Sequence, residues 1–545
     1  MPIAAKGRGL VFVWHGAARR RGSTPLPRLR EPASGRRGGQ TRGRCPHRPR
    51  AFGGLCRSEA GEADATAWKG CALPWVLGVL TLAEVLEATG GTPVGALPPS
   101  GDVRFSSVVV DSRGVTPGAL FVALRGETHD GNAFVGQALA AGAAGALVED
   151  VPADLGDRRL LVVVPSAPAA LAAMARYALD QYPSLTLVGI TGSIGKTTTK
   201  EVVADVLSSR EAVFKSEGNL NSEIGLPLTV LNGLHAADRH YAIAVLEMAM
   251  YQVGDIRFLA RLARPRIGVV TSVLPIHLGR IGTIERIQQA KQELVEELPS
   301  DGVAVLNADD PRVAQMADAT PARVVRYGVS ENADVRAEHI QGHGLGGVEF
   351  DVLSAGQRSH VHLPLLGVHS AYAALAATSV ALEVGFSLSA AADALEKLSP
   401  TLRLLVVDGI NGSRIVDDSY NASPASVLAA LNLLSELPGS RKIGVLGDML
   451  ELGTEEESSH LRVGARAAAV LDLLIVYGPR SKTTVAEARR RGLRADQVFE
   501  ADSHAEIVQL LRARLGPGDD VLVKGSLAMG MSAVVHGIRS PAHGN

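Results

Sequence analysis

The chain has 545 residues, of which 46% are hydrophobic and 20% charged, proportions that are typical of a globular protein. This length predicts about three or four domains. The formal net charge of −1 combines a basic start, with 15 Lys+Arg and 4 Asp+Glu in residues 1–70, and a remainder with a net charge of −12, which excludes a general electrostatic footprint for nucleic acid.

The first 72 residues are rich in Arg, Gly and Pro and carry little periodic apolar pattern. One interpretation is a basic arm that binds nucleic acid or a membrane. The other is a disordered extension, such as one translated from an upstream start codon. Because this composition buries too little surface to offset the entropy of ordering, we expect a disordered basic extension.

The positions of the cysteines and the length of the apolar runs indicate in which cellular compartment the protein acts. Cys45, Cys56 and Cys71 all lie in the first 75 residues, so thiolate metal sites and disulfides are excluded from the rest. The apolar run Ala72–Ala83 has the flanks of a signal peptide but no small-residue cleavage site, and it leads into Glu84. No run reaches the roughly 18 uncharged apolar residues of a membrane helix, so we expect a cytoplasmic protein.

A small α/β domain is predicted over residues 80–183. Leu82, Val85 and Leu86 predict a short helix that ends at Gly90. A further helix and three short strands are predicted at Ala133–Ala141, Val108–Val110, Leu120–Leu124 and Ala146–Val148.

Two further domains are predicted over residues 184–400 and 401–545. In both, apolar strands alternate with helical patterns, which favours mostly parallel sheets covered by helices. The predicted strands are Leu185–Ile190, Ala242–Leu246, Ile267–Thr271, Val303–Leu306, Lys442–Leu446, Leu473–Val476 and Val521–Val523.

The most specific motif follows the first of these strands and opens a helix. It consists of Thr191, Gly192, Ser193, Ile194, Gly195, Lys196, Thr197 and Thr198. In such a loop, backbone N–H groups and the helix N-terminus face phosphate, the lysine reaches the β- and γ-phosphates, and the following threonine holds Mg²⁺. The strict phosphate-loop pattern fails at its first glycine, where Ile190 stands, so a glycine-rich turn without a ligand is the alternative.

Two side chains follow other predicted strands at the same edge of the sheet. Glu247 ends one strand and His277 lies six residues beyond another. Acids at the carboxyl ends of parallel strands lie where ligands bind. Each residue alone is weak evidence, because strands often end in a charge that reaches water and a lone histidine is more often structural.

Lys291 is placed unusually for a lysine. Thr283 can cap a helix that runs to about Leu298, and Lys291 lies about 20° from Ile284 on its apolar face. A lysine on this face is costly unless it is paired or chemically changed. It is either a side chain that extends along the surface to water or a lysine held near metal or phosphate.

These segments resemble the Mur ligase family. Its phosphate loop also lacks the first glycine, and Gln289–Glu293 is similar to the family's segment with a carbamylated lysine. The resemblance implies ATP and two Mg²⁺ ions, a carbamate on Lys291, and metal ligands at Thr197, Glu247, His277 and Lys291. It also implies that Lys196, Glu247, His277 and Lys291 are catalytic.

Further segments extend the resemblance from about residue 80 to the end. They imply binding of the UDP-linked substrate by Ser112, Arg113, Asn219 and Asn221, and of ATP by Asn307, Arg403 and Asp418. The segment Asp417–Pro424, which contains Asn421, and Leu446–Gly453 resemble signatures of the MurF branch. Ser370, Ala373 and Leu527 depart from the family pattern.

The implied fold is α/β with three domains: a central P-loop ATPase domain with a mostly parallel sheet, a small UDP-substrate domain and a C-terminal Rossmann-like domain. The implied activity is ATP-dependent joining of D-Ala-D-Ala, held in part by Asn421, to UDP-MurNAc-tripeptide through an acyl phosphate, in peptidoglycan precursor synthesis. We expect a monomer that binds no nucleic acid and does not insert into membranes.

Three alternatives remain open on the sequence. A related ligase could use another acceptor, as glutamate-adding and folate-type enzymes do. An inactive homologue could act as a binding subunit, which the departures at Ser370, Ala373 and Leu527 favour. A P-loop ATPase that handles nucleic acid is suggested only by the basic start of the chain.

Overall fold

The computed structural model describes residues 79–95, 103–126, 129–153, 155, 159–235, 240–276, 278–399 and 405–540. Chain contacts define two units, Met1–Leu73 and Pro74–Asn545, and every described residue belongs to the second. The predicted extension over residues 1–72 and the site candidates His277 and Arg403 lie outside the described residues. No helix in the described ranges is long and apolar enough to cross a membrane.

The N-terminal part is a small sheet with helices. Its elements are β1 (Leu80–Thr81), α1 (Leu82–Thr89), β2 (Thr92–Val94), β3 (Arg104–Phe105), β4 (Val108–Val109), β5 (Leu120–Val122), α2 (Val135–Ala140), β6 (Gly145–Val148), β7 (Leu161–Val163) and α3 (Ala167–Asp180). The sheet order is β2-β7-β6-β5-β4, parallel except at β2, and β1 pairs with β3. The capping box of Thr81 and Glu84 starts α1, and Gly90, with φ of 64°, ends it as predicted.

The central part is built on a larger sheet. Its first elements are β8 (Thr186–Thr191), α4 (Lys196–Ser208), β9 (Val213–Lys215), α5 (Gly225–Thr229), β10 (Ile243–Glu247), α6 (Asp255–Ala263), β11 (Ile267–Val270), α7 (Leu278–Ile281), α8 (Ile284–Glu296), β12 (Val303–Asn307), α9 (Pro311–Ala314) and β13 (Arg323–Gly328). Then come β14 (Val335–Gly342), β15 (Val348–Ser354), β16 (Gln357–Leu363), α10 (Ser370–Glu383) and α11 (Leu388–Glu396). The strand order is β16-β15-β14-β13-β12-β11-β8-β10-β9.

This sheet is parallel from β9 to β14, but its far edge differs from the predicted alternation of strands and helices. The strands β14, β15 and β16 form an antiparallel meander. Val348, Phe350 and Val352 are buried on one face, whereas polar residues alternate with them. Each strand therefore lacks the continuous apolar run of a strand that is buried on both faces.

The C-terminal part is a second parallel sheet. Its elements are β17 (Leu405–Asp408), β18 (Arg414–Asp418), α12 (Pro424–Glu436), β19 (Arg441–Gly447), α13 (Glu456–Val470), β20 (Leu473–Tyr477), α14 (Lys482–Arg490), β21 (Val498–Ala501), α15 (His504–Arg514), β22 (Asp519–Lys524) and α16 (Ser532–Ile538). The order is β17-β18-β22-β19-β20-β21, with only the pairing of β17 to β18 antiparallel among these strands. Apolar cores lie on both faces, as expected for a doubly wound sheet.

Candidate active site

Several of the described site candidates of the central part meet at one edge of its sheet. The neighbouring parallel strands β12, β11, β8 and β10 all end there. Glu247 lies opposite Ile190, which is the second-last residue of β8, and Val270 lies opposite Thr191. The acid at the end of β10 is therefore directly beside the start of the phosphate loop.

The loop depends on a glycine at a close approach. Gly192 has φ of 150°, and a Cβ at this position would lie 1.8 Å from Thr271 Oγ1. Thr271 instead donates a hydrogen bond to the Ile194 carbonyl at 2.6 Å. Only a residue without a side chain allows this loop to pack against the end of β11.

The residues after β11 hold the other side of the loop. The Ser193 N–H donates to the Ser272 carbonyl at 2.8 Å, and the Ile194 N–H donates to Ser272 Oγ at 3.2 Å. The Leu274 N–H donates to Ser193 Oγ at 2.8 Å. Hydrogen bonds thus join the phosphate loop to the end of β11, and they fix the direction of α4, which follows the loop.

The N-terminus of that helix is suited to an anion. Gly195, with φ of 80°, precedes α4, and no side chain caps the helix. The Lys196 ammonium lies over the loop, 3.0 Å from the Gly192 carbonyl oxygen. Backbone N–H groups, the helix dipole and a lysine therefore act at the same place, and Thr197 stands in the first turn.

Glu247 has the properties of a ligand for a hard cation. It is 3% exposed, Asn221 Nδ2 donates to its Oε1 at 2.9 Å, and its own N–H donates to Ser216 Oγ. Its Oε2 is buried without a hydrogen-bond partner among the described residues. A buried carboxylate oxygen without a partner is costly, and Mg²⁺, which prefers oxygen ligands, would satisfy it.

Lys291 is deeply buried on α8. Thr283 caps this helix as predicted by accepting from the Arg286 N–H, and Lys291 is only 3% exposed. The alternative of a side chain that extends to water is therefore wrong, because the packing of α8 covers the whole residue. Burial, and then the nearby positive charge of Lys196, hold the pKa of Lys291 well below its usual 10.5, which favours a neutral amine.

The candidates for nucleotide and substrate contacts are less closely grouped. Both ends of the Asn307 side chain are engaged, with Nδ2 donating to the Thr271 carbonyl and Oδ1 accepting from the Asp309 N–H. Asn219 is exposed, and Arg113 forms an ion pair with Asp111. Ser112 makes its side-chain hydrogen bond to Gln137, within the N-terminal part.

The C-terminal sheet contributes a lysine that the prediction of site residues omitted. Lys524 ends β22, is 2% exposed, and donates to Asp418 Oδ2 at 2.5 Å and to the Asn421 carbonyl at 2.8 Å. Asn421 Oδ1 accepts from the Ala422 and Leu527 N–H groups. The available signal was a lysine at the carboxyl end of an apolar strand, the same kind of position that singled out Glu247.

Three segments of the chain match family profiles. Residues 104–178 match the "Mur ligase family, catalytic domain", residues 190–381 the "Mur ligase middle domain", and residues 402–527 the "Mur ligase, glutamate ligase domain". The first two segments lie within the N-terminal and central parts, and the described residues of the third belong to the C-terminal part.

Similar proteins extend over most of the chain. The UDP-N-acetylmuramoyl-tripeptide–D-alanyl-D-alanine ligase of Mycobacterium tuberculosis is 37% identical over 506 residues, which cover 84% of this chain and 96% of the relative. The ligase of the same name from Escherichia coli is 34% identical and covers 84% of this chain, which spans 98% of that relative.

Solved structures agree with these relatives. MurF from Acinetobacter baumannii superposes with a TM-score of 0.74 at 28% identity, covering 84% of this chain and 98% of its own. The MurF ligase from Thermotoga maritima in complex with ADP gives a TM-score of 0.67 at 30% identity, and the match covers 79% of this chain and 96% of that structure's chain. The chain therefore belongs to the MurF branch of the Mur ligase family.

Proposed function

We propose that this protein is an ATP-dependent ligase that joins D-Ala-D-Ala to UDP-MurNAc-tripeptide in peptidoglycan precursor synthesis. One observation carries the proposal: an uncapped helix N-terminus with Lys196 lies beside the buried, partly unpartnered carboxylate of Glu247 at one sheet edge. This is the pairing that phosphoryl transfer from a metal-bound nucleotide needs. The names of the MurF relatives supply the two substrates.

The reaction that suits this site has two steps. The terminal carboxylate of the tripeptide attacks the γ-phosphorus of ATP, which forms an acyl phosphate and releases ADP. The amine of the dipeptide then attacks the acyl carbon, loses a proton, and phosphate leaves. Lys196 and the N–H groups of the loop would stabilise the charge on the transferred phosphoryl group, so catalysis depends mainly on positioning and electrostatics.

Two Mg²⁺ ions are part of the proposal. Thr197, Glu247, Lys291 as a carbamate, and His277, which lies outside the described residues, would hold them. When bound, Mg²⁺ supplies positive charge against the phosphate oxygens. The unpartnered Oε2 of Glu247 supports this assignment from within the chain.

The carbamate explains why a lysine is buried at this place. A neutral Lys291 amine can attack carbon dioxide and release a proton, which gives an anionic oxygen ligand on the same side chain. The pKa of Lys291, held low by burial and by Lys196, keeps the amine in the reactive neutral form. A Lys291→Ala variant rescued by short carboxylic acids would support the carbamate, and a fully active one would exclude it.

The remaining contacts are assigned to the three proposed domains, residues 80–183, 184–400 and 401–545. Ser112 and Arg113 would contact the UDP-linked substrate in the first domain. Asn219 and Asn221 would do so in the second, where Asn307 belongs to the nucleotide site. In the third domain, Arg403 and Asp418 would contact ATP, and Asn421 would bind near the dipeptide. We propose a monomer that acts in the cytoplasm.

The test is phosphate release from ATP with UDP-MurNAc-tripeptide, with and without D-Ala-D-Ala, together with the mass of the product. We expect release to require both substrates and to give a UDP-MurNAc-pentapeptide. Turnover only with another acceptor would retain the ligase chemistry and reject the assigned dipeptide. No turnover with any acceptor would favour an inactive homologue.

A further inference from the structure

A fully buried lysine lies one turn after the phosphate loop, outside the site residues assigned above. Lys200 is 0% exposed on α4, four residues after Lys196. Its Nζ donates to the Ser216 carbonyl at 2.5 Å and forms an ion pair of 2.8 Å with Glu201 Oε1. Because taking an ammonium group out of water is costly even when it is paired, stability alone does not explain a lysine at this place.

The carbonyl that Lys200 contacts lies where the pairing of β9 with β10 stops. Ser216 follows β9, and its N–H donates to the Val245 carbonyl at 3.1 Å, as in a parallel ladder. The next bond of such a ladder would join the Glu247 N–H to the Ser216 carbonyl. The Glu247 N–H donates to Ser216 Oγ at 3.1 Å instead. Lys200 therefore occupies the oxygen that the ladder would offer to Glu247.

The end of β10 is thus held by side chains. Ser216 Oγ accepts from the Glu247 N–H, and Asn221 Nδ2 donates to Glu247 Oε1 at 2.9 Å. The second carboxylate oxygen, Oε2, is the one without a hydrogen-bond partner among the described residues. Its position depends on Ser216, which is 2% exposed and whose carbonyl is held by Lys200.

One helix connects this contact with the phosphate loop. Residues four apart on a helix lie on the same side, so Lys196 and Lys200 project from one face of α4. The first ammonium lies over the loop, 3.0 Å from the Gly192 carbonyl oxygen, and the second reaches Ser216. The separation between the phosphate loop and Glu247 is therefore set through α4 as well as through the pairing of β8 with β10.

A second lysine shares the ion pairs of Lys200 but not its contact with Ser216. Lys215 Nζ lies 2.6 Å from Glu201 Oε2 and 2.9 Å from Asp205 Oδ1, and its side chain is 36% exposed. Both lysines therefore join α4 to the end of β9 through Glu201. Comparison of the two separates the effect of the ion pairs from the effect of the bond to the Ser216 carbonyl.

From these contacts we propose that Lys200 is a positioning residue for Mg²⁺: by holding the Ser216 carbonyl, it fixes the Glu247 carboxylate relative to the phosphate loop. Lys200 itself contacts neither metal nor substrate and acts through Ser216. The inference rests on the proposed function, because the Mg²⁺ ions belong to that proposal. Residues that orient a metal ligand typically change metal affinity by about tenfold to a hundredfold.

The test is calorimetric titration with an ATP analogue that has a methylene group between its β- and γ-phosphorus atoms, once with Mg²⁺ and once with EDTA. The Kd in EDTA divided by the Kd in Mg²⁺ measures the Mg²⁺ effect on nucleotide binding. We expect Lys200→Met, which keeps the length of the side chain and removes the ammonium, to lower this ratio by about tenfold. The Kd in EDTA should change less than about twofold.

Glu247→Gln provides the reference, because it changes the proposed ligand itself. Addition of Lys200→Met to Glu247→Gln should lower the ratio no further, since both changes act on the same carboxylate. A further loss in the double variant would show that Lys200 acts by another route and would overturn the inference.

The matched control is Lys215→Met, which removes a lysine from the same ion pairs and leaves the bond from Lys200 to Ser216. It should keep the ratio of the unmodified chain. An unchanged ratio in Lys200→Met, or equal losses in the two lysine variants, overturns the inference alone. An unmodified chain that binds the analogue equally well with and without Mg²⁺ overturns the proposed metal site together with it.

If Lys200→Met fails to fold, Ser216→Ala decides. This change keeps the carbonyl that Lys200 contacts and removes the hydroxyl that accepts from the Glu247 N–H. A lowered ratio with an unchanged Kd in EDTA supports the inference, and an unchanged ratio overturns it.

Discussion

At the scale of single residues, Glu247 and Lys291 are ionisable side chains that the fold buries. Glu247 Oε2 has no hydrogen-bond partner among the described residues, and no hydrogen bond or ion pair joins Lys291 Nζ to another described residue. Such groups are costly for stability, so their presence at the edge beside the phosphate loop indicates a requirement of the chemistry.

The Glu247→Gln variant separates the effect of this carboxylate on stability from its effect on catalysis. The amide keeps an acceptor for Asn221 and removes a buried charge, so we expect a melting temperature that is unchanged or higher. Turnover should fall by at least about a hundredfold, because the variant loses a proposed ligand of the Mg²⁺ that neutralises the phosphates. The control Glu436→Gln, at another glutamate whose pKa burial raises, should keep full turnover. A Glu247→Gln enzyme with normal activity at low Mg²⁺ would contradict the assignment.

Lys291→Met tests the neutral amine through the pH dependence of stability. Between the lowered pKa of folded Lys291 and its usual value of 10.5, the unfolded chain binds a proton that the folded chain does not. The free energy of unfolding of the unmodified chain therefore rises with pH in this window, by at most about 1.4 kcal/mol per pH unit. We expect the variant to be the more stable protein at pH 7, with a difference that shrinks towards pH 10.

The measurement is denaturant unfolding of both proteins in bicarbonate-free buffer at several pH values. Parallel stability profiles for the two proteins would mean that the folded lysine is protonated, and would remove this support for a carbamate.

At the scale of elements, local signals predicted the parallel strands and helix starts of the site. Thr283, Gly90 and the phosphate loop act within a few residues of their own position, so the sequence contains their signal. The meander over β14–β16 was not predicted. Its residues come together only through pairing between strands, which no local pattern encodes.

Gly192→Ala tests the close approach between the loop and β11. The new Cβ would collide with Thr271 Oγ1, so the loop must shift, and we expect nucleotide affinity to fall by at least about tenfold. Addition of Thr271→Ala, which removes the colliding oxygen, should recover part of it. Calorimetric titration with ADP measures the affinity. The control Gly516→Ala has open space around the new Cβ and should bind normally; equal losses in the two single variants would contradict the steric explanation.

At the scale of the whole molecule, the N-terminal and central parts share one apolar core, in which α3 packs against α5 and α6. Asn232 of the central part exchanges two hydrogen bonds of 2.8 Å with the Val108 backbone of the N-terminal part. The C-terminal part meets the central part at Gly453 and through Arg280 and Glu451. The C-terminal part makes fewer contacts with the central part than the N-terminal part does, which suits a C-terminal part that closes over a reactive acyl phosphate and opens to release product.

Removal of residues 1–72 should leave kcat and both substrate KM values unchanged within about twofold. The physical reason is that the matched family segments begin at residue 104 and the assigned site residues begin at Ser112. Steady-state kinetics of the full and shortened chains measure this. A large loss in the shortened chain, with its fold intact by circular dichroism, would show that the basic segment acts in catalysis.

The central claim is that the substrate carboxylate itself takes the phosphoryl group. It is tested most directly with UDP-MurNAc-tripeptide carrying oxygen-18 in its terminal carboxylate, in the presence of ATP and D-Ala-D-Ala. An acyl phosphate transfers one labelled oxygen to each phosphate released, and mass spectrometry of the phosphate would show it. Unlabelled phosphate, formed while ATP is consumed, would mean that water attacks the nucleotide and would contradict ligase chemistry at this site.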